Sequence, residues 1–169
     1  RQSLAAATYG SDKAIFAYGD NDITGSATVS MSNLVNNSGV ISADVTGVGT
    51  ARQNLGAGSY GGDKAIFGYG NNTGSGDYYS LTNLVNTSGV VAADVTGVGT
   101  ARAALAAAGY GTDKVIFAYG TTGSLVSLKN LVSNTGVAAA DVAGVGTARN
   151  FLAAATYGTD KAIFGYGNT

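Results

Sequence analysis

The chain has 169 residues, a formal charge of −1 and only 11% charged side chains, so net field would draw it neither to a nucleic-acid backbone nor to an anionic membrane. It contains no cysteine, histidine, glutamate, proline or tryptophan. That composition excludes disulfides, zinc sites and the usual nucleophile–base pairs, and it leaves the redox compartment open. No run of about 18 apolar residues occurs, so a membrane-spanning helix is not expected, and the start carries no basic-then-apolar leader. A soluble chain is expected, and its start at Arg1 implies a piece of something longer.

With 27 glycines and little charge, the composition reads as strands separated by tight turns. Internal repetition organises them. DKAIF or DKVIF recurs at Asp12, Asp63, Asp113 and Asp160, in steps of 51, 50 and 47 residues. An arginine recurs with the same steps at Arg1, Arg52, Arg102 and Arg149. The implied units are 1–51, 52–101, 102–148 and a half unit 149–169.

Two stretches of each unit are fixed in length. From each arginine to the glycine that closes the next Tyr-Gly phrase (Gly19, Gly70, Gly120, Gly167) is always 18 residues, and from Asn33, Asn83 or Asn130 to the following arginine is always 19. All variation falls between them, with separations of 14, 13 and 10. Strands in register must keep their length, whereas surface loops need not. Residues 20–29, 71–79 and 121–126 are therefore read as loops.

In chain order, each unit predicts four strands. The first runs from Leu4 to Gly10 and the second is KAIFAYG, joined to it by a Gly-Ser-Asp-Lys turn. The third is VSMSNLV and the fourth GVISADV, after an Asn/Ser/Gly turn. In the second strand, alternation puts Ile66 and Gly68 on one face and Ala65, Phe67 and Tyr69 on the other, so both faces need cover.

The first strand is nearly all alanine (Ala106, Ala107, Ala108), which lets neighbouring sheets approach closely on that side. Small residues inside and larger ones outside suit wedge-shaped blades about an axis, and the fold class expected is an all-β propeller of four-stranded antiparallel blades, about three and a half of them. Alanine is also the best helix former, so an α/β solenoid with helices at RAALAAAGYG is the structural alternative.

The unit resembles a Kelch repeat: an arginine, a small-residue strand, a turn, a strand ending in glycine, then two outer strands. It differs in carrying Gly68-Tyr69-Gly70 where that family has two adjacent glycines, and in lacking tryptophan. The phrases DKAIFGYG, SLTNLV and GVGTAR are also similar to long repeat proteins associated with bacteriophage tails and fibres, which implies a virion-surface or adhesive part.

The repeated charges are read as scaffold. In each Asp-Lys pair, such as Asp63 and Lys64, the aspartate is expected to shape a turn and the lysine to be solvated, against the alternative of a ring of charge facing a ligand. Asp44 with Arg52, Asp94 with Arg102 and Asp141 with Arg149 are expected to bridge the crossing to the next unit. Tyr18, Tyr69, Tyr119 and Tyr166 are expected to pack with the hydroxyl bonded at an edge, against the alternative of a sugar-stacking surface. Asp20-Asn21-Asp22 is read as a polar loop, because a calcium loop's spacing is absent.

The second-to-third connections of such blades emerge beside the crossings between units. Asp20, Asn21, Asp22, Asn71, Asn72, Asp77, Tyr78, Tyr79, Thr121 and Thr122 are therefore the candidate binding residues, with no catalytic residue, metal or cofactor expected. The expected partner is a protein or glycan surface, with neither nucleic acid nor membrane insertion, at a virion or cell surface. A phage tail or fibre module is the first functional reading, a bacterial adhesin the second and a glycan-processing enzyme the third. The half unit leaves an open edge, to be covered by further repeats of a longer chain or, second, by another copy.

Overall fold

Each unit opens with a hairpin whose turn forces its backbone to the left-handed side. The computed structural model describes residues 1–22 and 27–169. In the first unit β1 (Ala5–Tyr9) pairs antiparallel with β2 (Lys13–Ala17) across a loop in which Gly10 and Ser11 take φ of 57° and 65°. β2 in turn pairs with β3 (Ser32–Val35). The second unit repeats this as β4 (Gly56–Tyr60) and β5 (Lys64–Gly68), adds a short hairpin of β6 (Asn71–Asn72) and β7 (Asp77–Tyr78), and closes with β8 (Thr82–Val85). The third has β9 (Ala106–Tyr110), β10 (Lys114–Ala118) and β11 (Lys129–Val132), and the half unit β12 (Ala153–Tyr157) and β13 (Lys161–Gly165). Among the described residues the protein is all-β, built of small antiparallel sheets, none of them closed on itself. The alanine tracts are strands, so the helical alternative is set aside.

The expected four-stranded blade needs correction. The ladders stop at three strands, and GVISADV and its counterparts join the third strand through isolated bridges, Ser32 to Val45 and Val35 to Ile41 in the first unit, and through the Ser42 N–H donating to Leu34 O at 2.9 Å. Three residues separate the bridged positions on one side and four on the other, which is the spacing of a β-bulge. The third-strand asparagine explains it. The Asn33 side-chain amide donates to the Ser42 carbonyl at 3.2 Å and to the Asp44 carboxylate at 2.8 Å, taking an acceptor that a regular ladder would have used. Asn83 and Asn130 do the same to Ala92 and Ala139.

Successive sheets pack face to face. On one side of the first junction stand Tyr9, Ile15 and Tyr18, with Leu34 beside them; on the other stand Leu55, Ala65, Phe67 and Val85. The second junction repeats this with Tyr60, Ile66 and Tyr69 against Leu105, Val115, Phe117 and Val132. Phe67 and Phe117 are fully buried, each removing roughly 2–3 kcal/mol of apolar surface from water. The closest approach is at the alanine-rich first strands, where β1 lies against β4, β4 against β9 and β9 against β12. A Cβ built on Gly56 would stand 2.9 Å from the Phe117 ring and 3.3 Å from Ala107, so only glycine lets the sheets meet there without a shift.

Backbone hydrogen bonds also cross each junction. Gly10 N–H donates to Asp63 O at 2.7 Å, Gly19 N–H to Arg52 O at 2.9 Å and Asn54 N–H to Ser3 O at 2.9 Å, and the same three recur at both later junctions. Because backbone partners and side-chain partners repeat together, a register slip between sheets would break both.

Tyr69 lies opposite to its expected side. Its ring packs on Phe117 of the following unit, with centroids 5.3 Å apart, and not beside Phe67. The residue has φ of 64°, which reverses the strand's alternation at its last step. Tyr18, Tyr119 and Tyr166 share that φ. A bulky residue in the left-handed region persists only where the surroundings over-determine it. Here Tyr69 N–H donates to Leu81 O at 2.9 Å, its carbonyl accepts from Arg52 Nε at 2.7 Å, and its hydroxyl donates to Val98 O at 3.2 Å.

Candidate functional site

The repeat arginine ties each loop to the seam between units. Arg52 is fully buried, donating from Nε to Tyr69 O at 2.7 Å, from one terminal nitrogen to Thr50 O at 3.0 Å and from the other to Asn83 Oδ1 at 2.7 Å. Its guanidinium carbon sits 4.2 Å above the Tyr18 ring of the preceding unit, and Arg102 sits 4.3 Å above Tyr69. Burial pushes the Arg52 pKa down, although Tyr18 and Asp94 pull it back up. Burial likewise raises Tyr18 to about 12.

The expected ion pairs are re-assigned. Arg52 approaches Asp94 of its own unit at 4.0 Å and Arg102 approaches Asp141 at 3.8 Å, in place of Asp44 with Arg52 or Asp94 with Arg102. Asp94 also accepts from the Thr50 hydroxyl at 2.7 Å and the Asn83 amide at 2.9 Å. Partial burial works against its charge, but these donors outweigh it and hold the carboxyl below the usual carboxylate range. The aspartate thus ties the end of its unit both to its own arginine and, through Thr50, to the end of the preceding unit, and cation–π stacking also joins one unit to the next.

The turn lysines are not wholly solvated. Lys64 Nζ lies 2.8 Å from Asp63 and Lys13 Nζ 3.6 Å from Asp12, in half-exposed pairs that add little to stability.

Each variable loop leaves beside the residue that follows a repeat arginine. Gln2 bridges Asp20, Gln53 bridges Asn71 and Ala103 bridges Thr121, so the three loops emerge at the same end of their sheets. Backbone hydrogen bonds running in series through Ser3, Asn54, Ala104 and Phe151 set these anchors side by side. Side-chain amides pin the two longer loops: Gln2 donates to Asp22 O at 2.7 Å, Gln53 to Thr73 Oγ1 at 2.8 Å and Asn54 to Asn71 Oδ1 at 3.1 Å. The short third loop folds back on itself through a bridge between Thr121 and Leu125, and Ala103 and Ala104 stand where the pinning residues would be.

Of the candidate binding residues, Asn21 and Asp77 are exposed, while Asp22, Asn71, Asn72, Tyr78, Tyr79, Thr121 and Thr122 are half-buried. Asp20 is fully buried and turns its loop by accepting the Asp22 N–H at 2.8 Å, so it is withdrawn from any contacting surface. Residues 23–26 of the first loop lie outside the described residues. The repeat phrases do not single out the anchors Gln2, Gln53 and Asn54: the residue after the arginine is glutamine in the first two units but Ala103 and Asn150 in the others, and the next position differs in all four.

A separate cleft of about 450 Å³ opens at the junction of the third unit with the half unit, between Ile116, Tyr119 and Lys129 on one side and Tyr157, Lys161 and Phe164 on the other. The half unit brings no third strand to this junction. Among the described residues no three metal-ligating side chains come together. No family model matches the chain, and comparison with curated proteins finds no match.

Proposed function

We propose that the protein is a non-catalytic recognition module of the propeller type, whose loop-bearing end contacts a glycan or protein surface through several weak contacts at once. The observation that carries this reading is the anchoring of three loops of different length at one end of a rigid, repeated seam. Variable segments held by invariant ones are how scaffolds present binding residues. Asp77 and Tyr78 lie on the short hairpin of the second unit and supply a carboxylate and an aromatic ring, groups that suit a sugar's hydroxyls and its apolar ring face.

The propeller arrangement itself is supported by the close approach of the alanine-rich first strands. The similarity of the repeat phrases to phage tail and fibre proteins favours a virion surface as the setting, with a bacterial adhesin as the other. The test is a triple variant, Asn72→Ala, Asp77→Ala and Tyr78→Ala, in binding assays against immobilised bacterial surface polysaccharides and purified virion proteins. A loss of tenfold or more with an unchanged melting temperature is expected. Undiminished binding by the variant would refute the reading.

A further inference from the structure

The first strands of successive units carry a hydroxyl at one shared position, Thr8, Ser59 and Thr156, and the third unit has a glycine there, Gly109. The position lies next to the hairpin turn, at the end of the sheets away from the variable loops. Where two neighbouring units both carry the hydroxyl, the row closes: Thr8 and Ser59 hydroxyls meet at 2.7 Å, and Ser59 Oγ donates to Thr8 O at 2.8 Å. Thr156 Oγ1 donates in the same way to Gly109 O at 3.0 Å. Gly109 has no hydroxyl to give to Ser59 O, and the row is broken there.

The break opens into a polar cavity of about 230 Å³ walled by Thr8, Ser59, Tyr110, Lys114 and Thr156. Backbone strain does not call for the glycine, because its φ lies outside the left-handed region. A glycine inside a strand costs chain entropy and packs nothing, and it commonly marks a place where a ligand comes close to the backbone. Gly109 has a unit on either side, so further repeats before or after would lengthen the row without placing a side chain in the gap.

We propose that this cavity binds a single neutral monosaccharide ring. The donors and acceptors around it select that class. Ser59, Thr112 and Thr156 each give their hydroxyl hydrogen to a carbonyl, those of Thr8, Gly111 and Gly109, so they offer lone pairs to a ligand. Ser59 O is a further acceptor. Lys114 supplies donors: its Nζ stands 3.6 Å from Asp113, beyond hydrogen-bond distance, whereas Lys64 and Lys161 bond their aspartates at 2.8 Å.

An anion would face this set of oxygen lone pairs, and a metal ion would face the ammonium. A sugar hydroxyl both donates and accepts, so it satisfies carbonyl and ammonium together, and the Tyr110 ring can cover the sugar's C–H face. The volume is below the roughly 300 Å³ at which ordinary small-molecule sites begin, which fits one sugar ring and not a chain of them. The site lies at the opposite end from the variable loops and does not rest on their proposed role.

Amide chemical-shift titration of the isotope-labelled protein with free glucose, galactose, mannose and N-acetylglucosamine tests it, with sodium sulfate and calcium chloride as separate probes. At least one sugar should shift the amides of Ser59, Gly109 and Tyr110, with a dissociation constant on the order of 1–10 mM. Gly109→Ser restores the hydroxyl of the other units. Its Cβ would lie 3.1 Å from Thr156 Oγ1, a side chain able to turn aside, so the melting temperature should hold while sugar affinity falls tenfold or more. Lys114→Gln should weaken binding severalfold, and the loop variant Asn72→Ala, Asp77→Ala, Tyr78→Ala should bind the sugar as the wild type does. No shift with any of the sugars, shifts with sulfate or calcium alone, or unchanged affinity in both Gly109→Ser and Lys114→Gln would overturn the inference, as would loss of sugar binding in the loop variant. Because the loop variant is the one that tests surface recognition, the two readings can fail separately.

Discussion

Tyr18 and Tyr166 hold the same place in the first and last units and share a φ of 64°, yet one is fully buried and the other is 88% exposed. Their agreement in backbone, despite that difference in surroundings, means the left-handed step is set inside the unit. Carbonyl acceptance from an arginine is common to both: Arg149 donates to Tyr166 O at 3.0 Å, as Arg1 does to Tyr18 O at 3.3 Å. What the neighbour adds is burial, through Phe67 at a centroid distance of 5.5 Å and Arg52 at 4.2 Å. Local structure is therefore a property of one repeat, whereas stability is a property of pairs of repeats.

Substitutions that touch the covered and uncovered halves differently sharpen this contrast. Phe67→Ala should cost about 3–5 kcal/mol in urea unfolding, because a fully buried ring leaves a cavity between two sheets. Phe16→Ala, at the same position on an uncovered face, should cost about 1 kcal/mol. Equal losses would mean that the ring acts within its own sheet.

Arg52→Met should cost about 3 kcal/mol by stranding Tyr69 O and Asn83 Oδ1 in the interior. Arg149→Met, whose guanidinium is half-exposed, should cost well under half of that in the same assay.

Alkaline pH offers a test without mutation. The Tyr18 phenol is raised from 10.0 to about 12 by burial, so its contribution is complete below about pH 10 and is lost as pH rises through 12, when the unfolded chain gains by ionising first. Stability should fall by about 2–3 kcal/mol across that window, and Tyr18→Phe should remove that part of the slope. Asp94 and Asp141 act with the opposite sign. Their lowered carboxyls stabilise the fold above the ordinary aspartate range, and that contribution is lost as pH falls through their folded values.

The smallest effect concerns packing at the closest approach. Gly68→Ala places a methyl 3.0 Å from Phe117, but Ala17 and Ala118 already fill this position in two other units, so a cost of about 1 kcal/mol is expected. Gly165→Ala meets nothing within 4 Å and should be neutral or slightly stabilising by thermal melting.

Much of this architecture is written in the repeat. The fixed spacings mark the segments that form ladders, the variable ones fall between β2 and β3 and their equivalents, where the second unit folds the short hairpin of β6 and β7, and both faces of β5 are covered as its apolar alternation requires. Three features escape a period-two reading. Tyr69 changes sides because one left-handed residue inverts the alternation. The fourth segment bulges because an asparagine side chain stands in for a backbone donor, and composition does not reveal that substitution. Arg52 finds Asp94 and not Asp44, because a chain that returns on itself brings a residue 42 positions away nearer than one eight away. At the candidate site the loops were legible from their lengths, while the burial of Asp20 goes with a pairing to Gln2, a residue repeated only as Gln53.

Arginine and tyrosine, each from a different unit, lock successive sheets together. A double-mutant cycle of Arg52→Met and Tyr18→Leu, read by urea unfolding, measures that lock directly. A coupling of about 1–2 kcal/mol is predicted for a buried cation–π pair at 4.2 Å. Additive losses, with no coupling between the two positions, would contradict it.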